Sequence, residues 1–212
     1  MSQKKCGFFG GSFDPIHLGH LHLAIELAEK HQLDEVFFCP TSQSPHKKSS
    51  PPIASKEARR AMVTAAISPL PQFTLLDLEI QKSSFCYTID TLRQLLEMDE
   101  QNQVKRDYFL LLGSDSLDQL HTWREVDELM KLAPPLIGSR DHENYSAPKE
   151  ASKGLIKAIK NGLTPIPIIE ISSTQIRQRL ELGLYSGHLL PAKVWEYIQQ
   201  HQLYMEKKPR EK

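Results

Sequence analysis

Cysteine, surplus charge and long apolar runs are all scarce in this chain of 212 residues. Its 3 cysteines, Cys6, Cys39 and Cys86, are an odd number without a C-x-x-C pair, which argues against a disulfide framework and a zinc ribbon. No apolar run approaches the roughly 18 residues that a membrane span needs. The N-terminus lacks the apolar stretch and the cleavage site of a signal peptide. We therefore expect a cytoplasmic globular protein without a membrane partner.

The charges of the chain balance, with 26 Lys and Arg against 26 Asp and Glu. A protein that binds nucleic acid through a general basic surface carries excess positive charge, so the composition disfavours that class but allows a local anion pocket. Hydrophobic residues make up 40% of the chain, which is enough for a buried core. The composition leaves the oligomeric state open.

Short apolar runs alternate with amphipathic segments along the chain. The predicted strands are Lys5–Gly10, Glu35–Cys39, Phe73–Leu78, Asp107–Leu112, Pro135–Gly138 and Ile166–Ile171. The predicted helices are Leu18–Lys30, Ser55–Ile67, Ile89–Met98, Glu125–Leu132, Ala151–Asn161, Ser173–Leu182 and Ala192–Gln200. This order predicts an α/β fold with a doubly wound, mostly parallel sheet and helices on both faces. We expect one domain over 1–212, with a core over 1–171, a small helical extension over 172–204 and a tail over 205–212.

Two glycines, Gly10 and Gly11, end the first predicted strand, and a helix follows them. Glycine permits positive φ and close approach of a ligand, and the helix start offers free N–H groups, so this turn suits a phosphate. His17 and His20 are three residues apart and can project from one face of the first helical turn. Imidazoles beside amide donors suit a phosphoryl group that gains charge in a transition state. Gly19, a poor helix former, is explained if a bulky group passes over it.

A phosphate site is not the sole role that this turn could have. Many α/β proteins have a strand–Gly-Gly–helix turn for steric reasons alone. His17 and His20, with His22 as a third candidate, could bind a transition metal, although no carboxylate or thiolate stands at ligand spacing nearby. Asp14 could serve only as a helix cap.

A second candidate anchor is the segment Ile171–Arg177, at the start of the next-to-last predicted helix. Ser172 and Gln175 form a capping box, which accounts for the helix start without a ligand. The capping box leaves Ser173, Thr174 and Arg177 unexplained. Two hydroxyls and a guanidinium beside a helix N-terminus are suited to phosphate.

Several single residues follow the remaining predicted strands. Lys47 lies in the loop Thr41–Pro52, where an isolated lysine is usually solvated but can clamp a neighbouring phosphate. Tyr87 and Thr88 begin a helix and are explained equally well as a core residue and a cap. Asp115 follows the most apolar strand, and Trp123 offers a flat ring for stacking in a polar context.

These strings together resemble a known family. Ser12–His20 resembles the (T/S)-x-D-x-x-H-x-G-H signature of the nucleotidyltransferase superfamily, whose members transfer a nucleoside monophosphate from a triphosphate and release pyrophosphate. From Gly7 to about Tyr204 the chain resembles the bacterial nicotinate-nucleotide adenylyltransferases. The matching segments are Gly10–His20, Pro45–Lys47, Tyr87–Leu92, Gly113–Asp115, Trp123, Ile171–Arg177 and Pro191–Ile198.

The resemblance implies a Rossmann-like fold and adenylyl transfer from ATP to nicotinate mononucleotide, which yields nicotinate adenine dinucleotide and pyrophosphate in NAD biosynthesis. It implies that ATP binds, with Mg²⁺ on its phosphates, to Gly10, Gly11, Ser12, Phe13, His17, Gly19, His20, Lys47, Ile171, Ser173, Thr174 and Arg177. It implies that nicotinate mononucleotide binds to Asp14, Tyr87, Thr88, Asp115, Trp123 and Arg124. The catalytic groups would be His17, His20, Lys47 and Arg177, with His20 at the α-phosphate and no metal held by protein ligands.

The chain departs from this family at three positions. Cys86 stands where serine is usual, Lys82 lies where an arginine is common, and Arg124 replaces an aromatic residue after the tryptophan. Arg124 could pair with the nicotinate carboxylate or point to solvent. Alternative functions are transfer to nicotinamide mononucleotide or phosphopantetheine, a cytidylyltransferase, a nucleotide-binding regulator without chemistry, and a histidine-ligated metal hydrolase.

Overall fold

A six-stranded sheet with helices on both faces forms the molecule. The structure, a computed structural model, describes residues 3–43, 51–139, 148–167 and 169–205. The strands are β1 Lys4–Gly11, β2 Glu35–Pro40, β3 Phe73–Leu75, β4 Arg106–Gly113, β5 Pro135–Ser139 and β6 Leu163–Pro165. The helices are α1 Leu18–His31, α2 Lys56–Ile67, α3 Thr88–Gln101, α4 Leu117–Leu120, α5 Val126–Leu132, α6 Lys153–Gly162, α7 Ser173–Glu181 and α8 Ala192–Gln200.

The strands pair in the order β3-β2-β1-β4-β5-β6, and every pair is parallel. The chain winds outward from β1 in one direction through β3 and then returns to build the other half from β4. The order therefore reverses between β1 and β4, and ligands of such sheets bind at the carboxyl ends of the strands at that place. The predicted Rossmann-like α/β fold is confirmed.

Two buried clusters cover the two faces of the sheet. One cluster unites apolar side chains of α1, α2, α7 and α8, such as Leu27, Met62, Ile176 and Val194. The other unites side chains of α3, α4, α5 and α6 on the opposite face. The packing of α7 and α8 beside α1 and α2 matters for function, because it brings the end of the chain close to its first turn. The division at residues 171 and 204 stays a prediction, and most of the tail lies outside the described residues.

Serine side chains begin several helices, as the sequence predicts. Ser55 accepts a hydrogen bond from the backbone N–H of Ala58 at the start of α2 (3.1 Å). Ser172 accepts one from the backbone N–H of Gln175 at the start of α7 (3.1 Å). Such caps satisfy N–H groups that have no partner within the helix. Within the described ranges, no helix is long and apolar enough to cross a membrane.

The last strand lies elsewhere than the sequence predicts. The described residues of the apolar run Ile166–Ile171 are not in a strand, and β6 occupies Leu163–Pro165 at the edge of the sheet. A Cβ on Gly162 would lie 2.1 Å from the backbone oxygen of Pro135, so this glycine lets the chain pass closely against β5. Pro167 has no N–H to donate, and pairing ends before it. The last strand does lie at the edge of the sheet, as predicted, but the prediction assigned it to the wrong residues.

Candidate active site

Two cavities open at the carboxyl ends of β1 and β4. The larger, here the large cleft, has a volume of about 890 Å³ and is lined by the turn after β1 and the start of α7. The smaller, here the small pocket, has a volume of about 360 Å³ and is lined by the start of α3 and the segment after β4. Gly10, Gly11, Ser12 and Asp115 line both cavities. Two ligands, one in each cavity, would meet at this boundary.

The structure divides the predicted site residues between these cavities. The large cleft is lined by Gly10, Gly11, Ser12, Phe13, Asp14, His17, Gly19, His20, Ile171, Ser173, Thr174 and Arg177. The small pocket is lined by Tyr87, Thr88, Asp115, Trp123 and Arg124. Asp14 was predicted to bind nicotinate mononucleotide, but it lines the large cleft together with the residues predicted to bind ATP. Lys47 lies outside the described residues.

An aromatic ring shapes the turn between β1 and α1. Phe13 is 2% exposed and has a φ of 46°, in the left-handed region. A Cβ on Gly11 would lie 3.1 Å from the Phe13 ring. Among the described residues, Gly183 is the glycine with positive φ. Gly10 and Gly11 do not use the positive φ that glycine permits, and Gly11 leaves room for the buried ring.

His17 and His20 lie together at the start of α1, as their spacing predicts. Their ring centroids are 3.7 Å apart and their planes differ by 26°. The backbone N–H of His17 donates a hydrogen bond to Nδ1 of His20 (3.2 Å), which places the proton of a neutral His20 ring on Nε2. A Cβ on Gly19 would lie 3.1 Å from Nδ1 of His17, so Gly19 makes room for that ring.

Burial keeps His17 uncharged. Its relative exposure is 5%, and desolvation lowers the pKa of its imidazole to about 4. Its Nδ1 is buried and has no hydrogen-bond partner within the described part of the chain. At neutral pH this ring therefore offers the cleft a hydrogen bond rather than a positive charge. A group that supplies a proton acceptor or donor to that nitrogen would satisfy it.

Asp14 ties together segments that are distant in the sequence. Its carboxylate accepts hydrogen bonds from the backbone N–H groups of Ile53 (2.7 Å) and Ala54 (3.0 Å), just before α2. The hydroxyl of Tyr204 donates a third (2.8 Å). Asp14 is 4% exposed, so its carboxylate is both buried and engaged. These contacts favour a structural task, and they do not support the predicted contact with nicotinate mononucleotide.

The two anchors predicted from the sequence meet in the large cleft. The hydroxyl of Ser173 donates to the backbone oxygen of Pro15 (2.9 Å), and Nη1 of Arg177 donates to the backbone oxygen of Asp14 (2.7 Å). Nη2 of Arg177 also contacts the hydroxyl of Thr174 (3.3 Å). The N-termini of α1 and α7 thus face one cleft. Such an arrangement attracts an anion, because both helix dipoles and their N–H groups act on it.

The small pocket has an aromatic wall. The guanidinium carbon of Arg124 lies 4.9 Å from the centroid of the Tyr87 ring, a cation–π contact. Nη1 of Arg124 is also 3.2 Å from the carboxylate of Asp90. Trp123 and Thr88 complete this side of the pocket. The replacement of an aromatic residue by Arg124 thus adds a positive charge that Asp90 partly balances.

Of the remaining two departures from the family, Cys86 lines the small pocket and Lys82 is half-buried outside both cavities. Cys86 is buried, its Sγ lies 3.6 Å from the backbone oxygen of Glu79, and burial raises the pKa of its thiol. Lys82 contacts Gln94 (3.3 Å) and lines neither cavity. Cys6, Cys39 and Cys86 are all free thiols.

Two buried charged residues were not predicted: Arg59, which lines neither cavity, and Glu79, which lines the small pocket. Arg59 is 1% exposed, and its Nη1 donates to the backbone oxygens of Ser12 and Thr41, both at 2.7 Å. Glu79 is 3% exposed and accepts a hydrogen bond from the hydroxyl of Thr91 (2.7 Å), and desolvation raises its pKa. Arg59 could have been found in the sequence, because it stands on the apolar stripe of α2.

A metal centre built from the paired histidines is not supported. Nearly parallel, stacked rings do not aim their nitrogens at one point. Over the residues that the structure describes, no three His, Cys, Asp or Glu side chains are grouped so that they could hold a metal ion.

Comparisons with known proteins agree with the fold and identify the family. Residues 8–179 match the family model described as cytidylyltransferase-like. A protein of Clostridium acetobutylicum named probable nicotinate-nucleotide adenylyltransferase is 38% identical over 205 residues, 96% of this chain and 100% of the relative. One of Dehalococcoides mccartyi with the same name is 38% identical over 211 residues, 98% of this chain and 100% of the relative. The chain therefore belongs to the cytidylyltransferase-like family, among its nicotinate-nucleotide adenylyltransferases.

Solved structures share the fold at lower sequence identity. The Plasmodium falciparum nicotinic acid mononucleotide adenylyltransferase complexed with NaAD superimposes with a TM-score of 0.72 at 22% identity, covering 95% of this chain and 98% of that chain. The same enzyme complexed with APC gives a TM-score of 0.71 with the same identity and coverage.

Proposed function

We propose that this protein transfers the adenylyl group of ATP to nicotinate mononucleotide, forming nicotinate adenine dinucleotide and pyrophosphate. The observation that carries the proposal is the pair of cavities that share Gly10–Ser12 and Asp115. A transfer between two nucleotides requires the acceptor phosphate and the α-phosphate to lie in contact at one boundary. The names of the relatives that are 38% identical support the same reaction.

ATP occupies the large cleft in this proposal. The N-termini of α1 and α7 face its triphosphate, and Arg177, Ser173 and Thr174 bind the β- and γ-phosphates. His20 donates a hydrogen bond from Nε2 to the α-phosphate, because its Nδ1 already accepts from the backbone of His17. His17 acts as a neutral donor, and Lys47 would add positive charge.

Nicotinate mononucleotide occupies the small pocket. The volume of about 360 Å³ falls within the usual range of small-molecule sites, and Tyr87 and Trp123 provide aromatic surfaces for the pyridine ring. The backbone N–H groups at the start of α3, near Thr88, attract the nicotinate carboxylate. Arg124 adds a positive charge on the same side, and Asp115 is placed to accept a hydrogen bond from a ribose.

The chemistry requires no general base. The attacking group is a phosphate oxygen that is anionic at neutral pH, so the site contributes alignment and stabilisation of the charge on the transferring phosphorus. Because the described residues offer no cluster of metal ligands, Mg²⁺ would arrive with ATP, held by phosphate oxygens and water. It would neutralise charge on the leaving pyrophosphate.

A pyrophosphate-release assay with ATP and Mg²⁺ tests the proposal. We expect release with nicotinate mononucleotide, and much less with nicotinamide mononucleotide or phosphopantetheine. Preference for phosphopantetheine would overturn the assignment of the acceptor, and ATP binding without any release would favour a regulatory nucleotide-binding protein.

The variant His20→Ala tests the central catalytic role. We expect kcat to fall about a hundredfold while KM for ATP changes little, since the hydrogen bond strengthens in the transition state. An unchanged kcat would remove this role from His20.

A further inference from the structure

A tyrosine near the end of the chain reaches the turn that carries the catalytic histidines. The hydroxyl of Tyr204 donates a hydrogen bond to Oδ1 of Asp14 (2.8 Å), across 190 residues of sequence. Burial, together with the neighbouring carboxylate of Asp14, raises the pKa of Tyr204 above its usual value, so the phenol remains a donor. Tyr204 lines neither the large cleft nor the small pocket.

Asp14 in turn fixes the groups that face the large cleft. Its backbone oxygen accepts the hydrogen bond of Arg177 (2.7 Å), and its carboxylate lies 3.9 Å from the same guanidinium. Pro15 follows it, and its backbone oxygen accepts from Ser173 (2.9 Å). A shift of the backbone at Asp14 and Pro15 would therefore displace Arg177 and Ser173 together.

We propose that Tyr204 is a positioning residue for the ATP phosphates, which it influences through Asp14 without touching them. This inference rests on the proposed function for its catalytic readout. Asp14 and Arg177 line the large cleft and not the small pocket. Loss of the Tyr204 hydroxyl therefore affects ATP, whereas nicotinate mononucleotide keeps its affinity.

The variant Tyr204→Phe removes the hydroxyl and keeps the ring. The matched control is Tyr197→Phe on α8, whose ring stacks on His201 at 4.0 Å between centroids. For Tyr204→Phe we expect the Kd for ATP measured by calorimetry, and KM for ATP, to rise about fivefold to tenfold, the size expected for the loss of one ordinary hydrogen bond. KM for nicotinate mononucleotide should change less than about twofold. The control should leave all three constants unchanged.

A double variant distinguishes positioning from loss of stability. If Tyr204 acts through Arg177, its effect on ATP affinity should largely vanish when Arg177→Met has already been introduced, because contacts in one network are not additive. Additive effects, or an unfolding temperature that falls while ATP affinity stays constant, would overturn the proposal.

A measurement on the unaltered protein covers the case in which Tyr204→Phe does not fold. Coupling between two sites is reciprocal, so ATP must stabilise the C-terminal segment if that segment stabilises the ATP site. The amide of Leu203 donates to the backbone oxygen of Ile198 (3.1 Å). We expect ATP to slow hydrogen exchange at this amide, and an unchanged rate would refute the coupling. ATP binding alone is measured here, so failure of the acceptor assignment leaves this test intact.

Discussion

Removing the titratable ring of His17 should change how the stability of the protein depends on pH. Burial lowers the pKa of His17 to about 4, from 6.5 in the unfolded chain. The unfolded state therefore binds a proton in the interval between these values while the folded state does not. The stabilisation by neutral His17 is complete above pH 6.5 and is lost as the pH falls towards 4, at about 1.4 kcal/mol for each pH unit.

Integrated from about pH 7.5 to about pH 4.5, this linkage amounts to about 2.5 kcal/mol. The variants His17→Asn and His17→Gln keep a polar side chain that does not titrate. Urea unfolding at several pH values would give the free energy of unfolding for each protein. On acidification, we expect the free energy of unfolding of the unaltered protein to fall by about 2.5 kcal/mol more than that of either variant. Parallel curves for all three proteins would show that the His17 ring is solvated, and the reasoning would fail.

Three further predictions concern the site. Gly19→Ala should lower kcat, measured by steady-state kinetics, at least about tenfold, because its Cβ would lie 3.1 Å from the His17 ring and displace it. A variant with full activity would contradict this packing. Arg59→Met should lower the free energy of unfolding by about 3 kcal/mol, because two buried carbonyls lose their donor, and a loss below about 1 kcal/mol in urea would refute it. Trp123→Ala should raise KM for nicotinate mononucleotide about tenfold and leave KM for ATP constant. Equal increases of both KM values would show that the Trp123 ring does not bind nicotinate mononucleotide specifically.

Local signals in the sequence predicted most of the framework. The serine caps of α2 and α7 lie within one helical turn of the N–H groups they satisfy, so spacing alone identifies them. The strands β1, β2 and β4 are buried apolar runs that end in glycine or proline, and their bounds differ from the predictions by at most one residue at either end. The resemblance to the family assigns Arg177 and the first turn to the same ligand, ATP, and so it implies that they meet.

Non-local contacts limited the prediction of the site. Asp14 has the residue type of a ligand or a cap, but its partners lie 39, 40 and 190 residues away, and no local pattern indicates them. Arg59 follows the helical stripe of α2, where a charged residue is unexpected, and its carbonyl partners come from two loops. The role of Gly11 depends on where the Phe13 ring packs, which composition and spacing do not determine.

The bond between Tyr204 and Asp14 also has a consequence for how the protein is made. The two residues stand 190 positions apart, so the first strand and its turn leave the ribosome long before their last partner has been added. Closing so long a loop costs entropy that only the surrounding packed structure can offset. The turn is therefore completed only after residue 204 has been synthesised, and a nascent chain released before that point would carry it unfinished.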